Sequence, residues 1–143
     1  MTAKKILLPK IPDYVVQEIY KSVNDEKDLV QKNQAYKWVS ASDTVQKWCK
    51  ENICPNIHWG IQIISGNLAI HKDTDTQVKF NYIIDRAGNC VVTKFYDNNM
   101  NVIDTVEFEE REWYILNVST YHDVTGIAND AFRISVTGRI FPN

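Results

Sequence analysis

The chain has 143 residues, enough for one domain with a proper core and too few for two comfortable ones. Its 44% apolar and 24% charged content, with 5 Gly and 4 Pro, excludes a disordered or fibrous chain, and a formal net charge of −2 gives no bulk attraction to nucleic acid or anionic membrane. The N-terminus offers only Ile6, Leu7 and Leu8 as an apolar run, too short for a signal peptide, and no later stretch is long enough to span a bilayer.

Residues 11–23 carry the first helical pattern. Pro12 suits a first turn, Asp13 complements the helix N-terminus, and Tyr14, Val15, Ile19 and Val23 recur at helical spacing before the polar close at Asn24, Asp25 and Glu26. A second helix is predicted over 42–52, capped by Ser42 or Asp43, with Val45, Trp48 and Cys49 on one face. Tyr36 and Trp38 between them fit either a short strand or loop packing. From residue 57 the pattern becomes β: strands are predicted over 58–64, 68–70 leading into His71, 78–84, 90–96, 102–108, 113–118 and 132–141, separated by turns at Gly66 and Asn67, 85–89 and 97–99. The expected architecture is mainly β, an antiparallel sandwich or double-stranded β-helix (jelly roll) of about seven to eight strands, with N-terminal helices buttressing it. One domain is expected over 1–143, with a helical part at 1–57 and the jelly-roll core at 58–143.

Cys49, Cys54 and Cys90 are odd in number and irregularly spaced, which speaks against a disulfide framework and against a structural zinc site. A reducing, cytoplasmic setting is the expectation. His71, one spacer and Asp73, followed much later by His122, supply two imidazoles and one carboxylate. That set can hold one face of a divalent metal and leave three positions open, an arrangement suited to non-haem Fe(II) oxygen chemistry. Asp75 is a rival carboxylate, and Asp123 is placed to orient the His122 ring. His122 shares a face with Leu116, Val118 and Thr120 if the strand from Trp113 stays regular that far. In the last strand, Phe132, Ile134, Val136 and Ile140 alternate with Arg133, Ser135, Thr137 and Arg139. The polar face either meets solvent or lines the inside of the roll, where the planar guanidinium fork would grip a carboxylate. His58 reads as structural, and Trp38, Trp48, Trp59 and Trp113 as packing rather than a stacking platform.

Taken in order, His71-x-Asp73, His122, and Arg133-x-Ser135 resemble the 2-oxoglutarate and Fe(II)-dependent oxygenases over residues 59–141. Within them the chain looks closest to compact prolyl-hydroxylase-like members of bacteria and phages. The resemblance implies that His71, Asp73 and His122 ligate Fe(II), and that Arg133 and Ser135 bind the distal carboxylate of the cosubstrate 2-oxoglutarate. It also implies that Tyr82 is a cosubstrate-binding tyrosine. Asn81 and Arg139 become candidate substrate or supporting residues, Arg139 resembling the second arginine of the nucleic-acid-demethylating branch.

The implied activity is an O2-consuming dioxygenase that hydroxylates a C–H bond of a peptide, protein or small molecule, with release of succinate and CO2. Neither membrane nor nucleic acid is an expected partner. Two alternatives are an oxidative demethylase of nucleic acid and a non-catalytic jelly-roll binding module, in which the three ligands would lie apart or turn to solvent. A cupin-type metal enzyme would want a histidine where Asp73 stands.

Overall fold

The computed structural model describes residues 2–33, 36–74 and 76–140. Among these the chain forms β1 (Ala3–Ile6), α1 (Asp13–Asn33), β2 (Tyr36–Ser40), α2 (Asp43–Asn52), β3 (Trp59–Ser65), β4 (Leu68–His71), β5 (Val78–Asp85), β6 (Val92–Tyr96), β7 (Val102–Val106), β8 (Trp113–Asn117), β9 (Tyr121–Thr125) and β10 (Phe132–Ile140). Phe141, expected at the end of the last strand, lies outside the described residues.

The strands make two antiparallel sheets, a larger one in the order β1-β8-β5-β10-β3-β2 and a smaller one in the order β4-β9-β6-β7. Sequence neighbours therefore alternate between sheets, as in a double-stranded β-helix: β3 belongs to the large sheet, β4 to the small, β5 to the large, β6 and β7 to the small, β8 to the large, β9 to the small and β10 to the large. The central strand β10 pairs with both β5 and β3, with a register shift between Ile134 and Ser135 on the β5 side.

Two layers of apolar packing follow from strand alternation. On the outer face of the large sheet, Trp59, Ile61, Ile63, Tyr82, Ile84, Ile134 and Val136 pack against Val15, Ile19 and Val23 of α1 and Val45 and Cys49 of α2. Between the sheets, Ile83, Phe108, Tyr114, Leu116 and Val118 form a smaller cluster. The helices thus buttress one sheet and leave its other face to the small sheet.

Several elements differ from the sequence pattern. Helix α1 continues ten residues past Val23 to Asn33; no Gly or Pro interrupts 24–33, and Glu, Lys, Leu and Gln there are good helix formers, so the polar stretch extends the helix. Tyr14 faces solvent at 59% exposed, and Val16 takes the buried place instead. Ser42 stands at the N-cap of α2, but its hydroxyl makes no capping bond. Strand β1 was not marked by alternation: its four residues pair with β8, Ala3 opposite Leu116 and Ile6 opposite Trp113, and β2 pairs with β3 at the other edge. The 1–57 segment is accordingly helical and also supplies an edge strand to each side of the large sheet.

The strand from Trp113 does not stay regular as far as His122. The Asn117 side-chain carbonyl accepts from both the backbone N–H and the hydroxyl of Ser119, at 3.2 and 2.7 Å, and this local turn competes with the ladder. The chain crosses at that turn from the large sheet to the small one, so His122 belongs to β9 and does not share a strand face with Leu116.

Candidate metal centre

The strand crossing at Ser119 places His122 beside β4. His71 and His122 are direct partners in the β4–β9 ladder, with ring centres 4.3 Å apart. Just beyond β4 the chain is held by the Asp73 N–H, which donates to the Val118 carbonyl at 2.8 Å. One donor atom from each of His71, Asp73 and His122 lies within 4.8 Å of the other two, and among the described residues this is the group of three that could hold a metal ion. Asp75, the rival carboxylate, lies outside the described residues.

Both rings are oriented by the same backbone device. His71 Nδ1 is 2.7 Å from the Ala69 carbonyl and His122 Nδ1 is 2.7 Å from the Thr120 carbonyl. A carbonyl only accepts, so each Nδ1 carries the proton and each Nε2 presents a lone pair. Neutral imidazoles with a fixed tautomer are the form a metal requires. Burial pulls the His122 pKa down to about 4, against the opposing Thr120 hydrogen bond and with a further lowering from His71. Asp123 does not orient this ring: its side chain takes the Tyr96 hydroxyl at 2.7 Å and the Lys94 N–H at 3.2 Å. Two nitrogen donors and one carboxylate match the donor set expected of a non-haem iron site.

The triad opens on a cavity of about 420 Å³ between the two sheets. Arg133, Ser135 and Arg139 of β10, Lys79 and Asn81 of β5, Gln62 of β3 and Thr93 of β6 supply much of its polar lining, with Phe95, Phe108, Leu116, Val118 and Val124 as apolar wall. The polar face of β10 is therefore the inner one: Arg133 is 6% exposed and Ser135 3%. The Arg133 guanidinium lies 5.4 Å from the centre of the Phe108 ring, and its ion-pair range holds no carboxylate among the described residues. Burial, with Arg86 adding repulsion, lowers its pKa to about 10. Ser135 reaches the Gln62 side-chain oxygen at 3.5 Å. Arg139 stands near the other end of the same strand, over the Trp38 ring at 5.8 Å.

Tyr82 is not in the cavity. It lies on the opposite face of β5, fully buried, 4.8 Å from the Trp113 ring centre, and its hydroxyl oxygen accepts the Ile11 N–H at 3.3 Å. The expectation of a cosubstrate-binding tyrosine at this position is corrected by strand parity: Lys79, Asn81 and Ile83 face inward, and Phe80, Tyr82 and Ile84 face the helices.

Lys79 and Thr93 are among the polar residues of the cavity not singled out from the sequence. Lys79 lines it and donates to Gln62 at 3.3 Å. The side chain as a whole is partly exposed, yet the ammonium lies deep enough that burial lowers its pKa to about 8, opposed by Asp73 and reinforced by Arg139 and Arg133. Thr93 is 4% exposed and its hydroxyl has no hydrogen-bond partner, a cost folding tolerates when a ligand will supply the partner. Inward parity on β5 would have found Lys79; a lone Thr in a strand carries no such signal.

No protein-family model matches the sequence, and no curated protein sequence matches it. Solved structures do. A prolyl-4-hydroxylase from Pseudomonas putida superposes with a TM-score of 0.56 at 11% identity, covering 99% of this chain and 93% of that one. The non-haem alpha-ketoglutarate-dependent epimerase SnoN from nogalamycin biosynthesis gives 0.52 at 12% identity, covering 92% and 74%. At such identities the likeness is one of architecture, and it agrees with the sheet order: the chain is a double-stranded β-helix.

Proposed function

We propose that this protein is an Fe(II)- and 2-oxoglutarate-dependent dioxygenase that hydroxylates a C–H bond of a peptide or small molecule. The observation that carries the reading is the convergence of His71, Asp73 and His122 donors within 4.8 Å in a cavity that also holds the buried Arg133 and Ser135. A binding module released from metal chemistry has no need of that convergence. The names of the two solved neighbours, a hydroxylase and an alpha-ketoglutarate-dependent epimerase, support the same choice.

His71, Asp73 and His122 would hold the iron and leave three positions for cosubstrate and oxygen. When bound, iron and 2-oxoglutarate would supply the oxidising chemistry, with succinate and CO2 released and one oxygen atom delivered to the substrate. The chain's own residues bind and orient. Arg133, as a buried cation, would pair with the distal carboxylate through two parallel N–H donors, and Ser135 would add a hydroxyl donor. Thr93 offers a further unclaimed hydroxyl in the cavity. Phe95, Phe108, Leu116, Val118 and Val124 line the cavity with apolar surface, which excludes water and strengthens these charged contacts.

The test is 2-oxoglutarate turnover by the Fe(II)-loaded protein: succinate release coupled to oxygen uptake, abolished in His71→Ala. Purified protein that binds neither Fe(II) nor 2-oxoglutarate under anaerobic conditions would refute the reading.

A further inference from the structure

Lys79 has no part in the ligand set described so far, yet it stands in the same cavity. It is opposite Arg139 in the β5–β10 register, whereas Arg133 lies six residues back along β10. At about 3.3 Å per residue those two arginines are separated by roughly 20 Å along the strand. The cavity wall therefore has two cationic ends, Arg133 at one and Lys79 with Arg139 at the other. Val118 accepts from the Asp73 N–H and donates to the Gln77 carbonyl, so the chain two residues before Lys79 is tied to the triad's edge, while the ammonium itself reaches Gln62.

The charges of the loaded site can be counted. A divalent iron and the Asp73 carboxylate leave one positive charge, since an imidazole that ligates a metal is neutral. The dianionic cosubstrate and Arg133 bring the sum to zero. Three further cations of the lining add to that sum: Lys72, over the Tyr121 ring, Arg139, over the Trp38 ring, and Lys79. Lys79 spends one of its three donors on Gln62, at a long 3.3 Å, and has no carboxylate in ion-pair range among the described residues. A cation whose ammonium is desolvated in this way is costly until an anion arrives.

Resting on the oxygenase reading above, we infer that Lys79 is a specificity-determining residue and that the primary substrate carries a carboxylate which its ammonium binds in the cavity beside the metal. The ammonium keeps two donors beyond the one given to Gln62, which suits the two oxygens of a carboxylate. The substrate is then a small carboxylic acid, or a peptide presenting an acidic group near the reacting carbon.

The experiment uses the full chain loaded with Mn(II) and N-oxalylglycine, so that Arg133 is already engaged, and titrates acetate or inorganic phosphate at constant ionic strength. Binding is followed by calorimetry and by thermal shift. Wild-type protein should bind acetate, Lys79→Met should bind it about tenfold or more weakly, and Lys79→Arg should retain it, with N-oxalylglycine affinity within about twofold in all three. Equal acetate binding by wild type and Lys79→Met overturns the inference. So does loss of N-oxalylglycine in Lys79→Met, which would assign the lysine to the cosubstrate, and so does a preference for phosphate. If wild-type protein takes up neither Mn(II) nor N-oxalylglycine but binds acetate in a Lys79-dependent way, the oxygenase reading falls and the carboxylate site stands.

Discussion

Replacing Arg133 by Met should make the ligand-free protein more stable while destroying the cosubstrate site proposed above. The guanidinium is 6% exposed, and burial with the Arg86 charge pulls its pKa down from the ordinary arginine value to about 10. Below about pH 10 the side chain is charged in both folded and unfolded chains, so the folded state bears the full cost of that gap at neutral pH, about 3 kcal/mol. The Phe108 ring at 5.4 Å returns on the order of 1 kcal/mol. Methionine of similar length removes the charge and keeps most of the packing. The net expectation is a gain of about 1–2 kcal/mol, or roughly 3–6 °C in melting temperature. Thermal and urea unfolding in chelator, without 2-oxoglutarate, measure it. Calorimetry of the Mn(II)-loaded variant should in parallel show N-oxalylglycine binding weakened by about a hundredfold. A variant that melts several degrees below wild type in the absence of ligands would refute the reasoning, because Arg133 would then be a structural residue satisfied by the protein itself.

In metal-free protein, His122 titrates near 4 when folded and near 6.5 when unfolded, so the unfolded chain binds more protons between those values. Stability should fall as pH drops through that window, by up to about 3 kcal/mol, and the difference between wild type and His122→Gln in urea titrations isolates the contribution. Gly60→Ala should cost about 1–3 kcal/mol, because the new methyl would run into the Trp38 indole and force it off Thr137, to which it donates at 3.2 Å. In a Trp38→Ala background the same change should be nearly free, a coupling that a double-mutant cycle reads directly. Cys49 is fully buried with its thiol pushed up to about 12 by burial, whereas Cys90 is exposed; mass spectrometry after iodoacetamide at pH 8 should find Cys90 modified and Cys49 intact in the native protein.

The parts of the fold read from sequence are those where one local rule decides. Alternation in 132–140 separated Phe132, Ile134 and Val136 from Arg133, Ser135 and Thr137, and the turn residues between strands marked where the chain reverses. The same parity, applied to Val78–Asp85, puts Lys79 and Asn81 with the polar inner face of β10 and sends Tyr82 to the helices; a resemblance placed Tyr82 in the site where alternation excluded it. The rest depended on tertiary context. Strand β1 is four residues whose pairing is visible only once β8 presents its edge. The break at Ser119 rests on an Asn117 side chain choosing a turn over continued pairing, and nothing in the alternation before it foretells the choice. Thr93 is silent in sequence because an unpartnered hydroxyl is a property of its surroundings.

The mirrored carbonyl contacts of His71 and His122 make the metal a mechanical element of the sheet. Strand β4 lies at the edge of the small sheet, and its pairing to β9 joins only Leu68 to Val124 and His71 to His122, across an irregularity. A cation held by Nε2 of both rings would rivet the last of those pairs, and Asp73 would fasten the chain just beyond it. Metal loading would then convert a lightly stitched edge into a closed seam, so the state of the sheet border would report whether the site is filled.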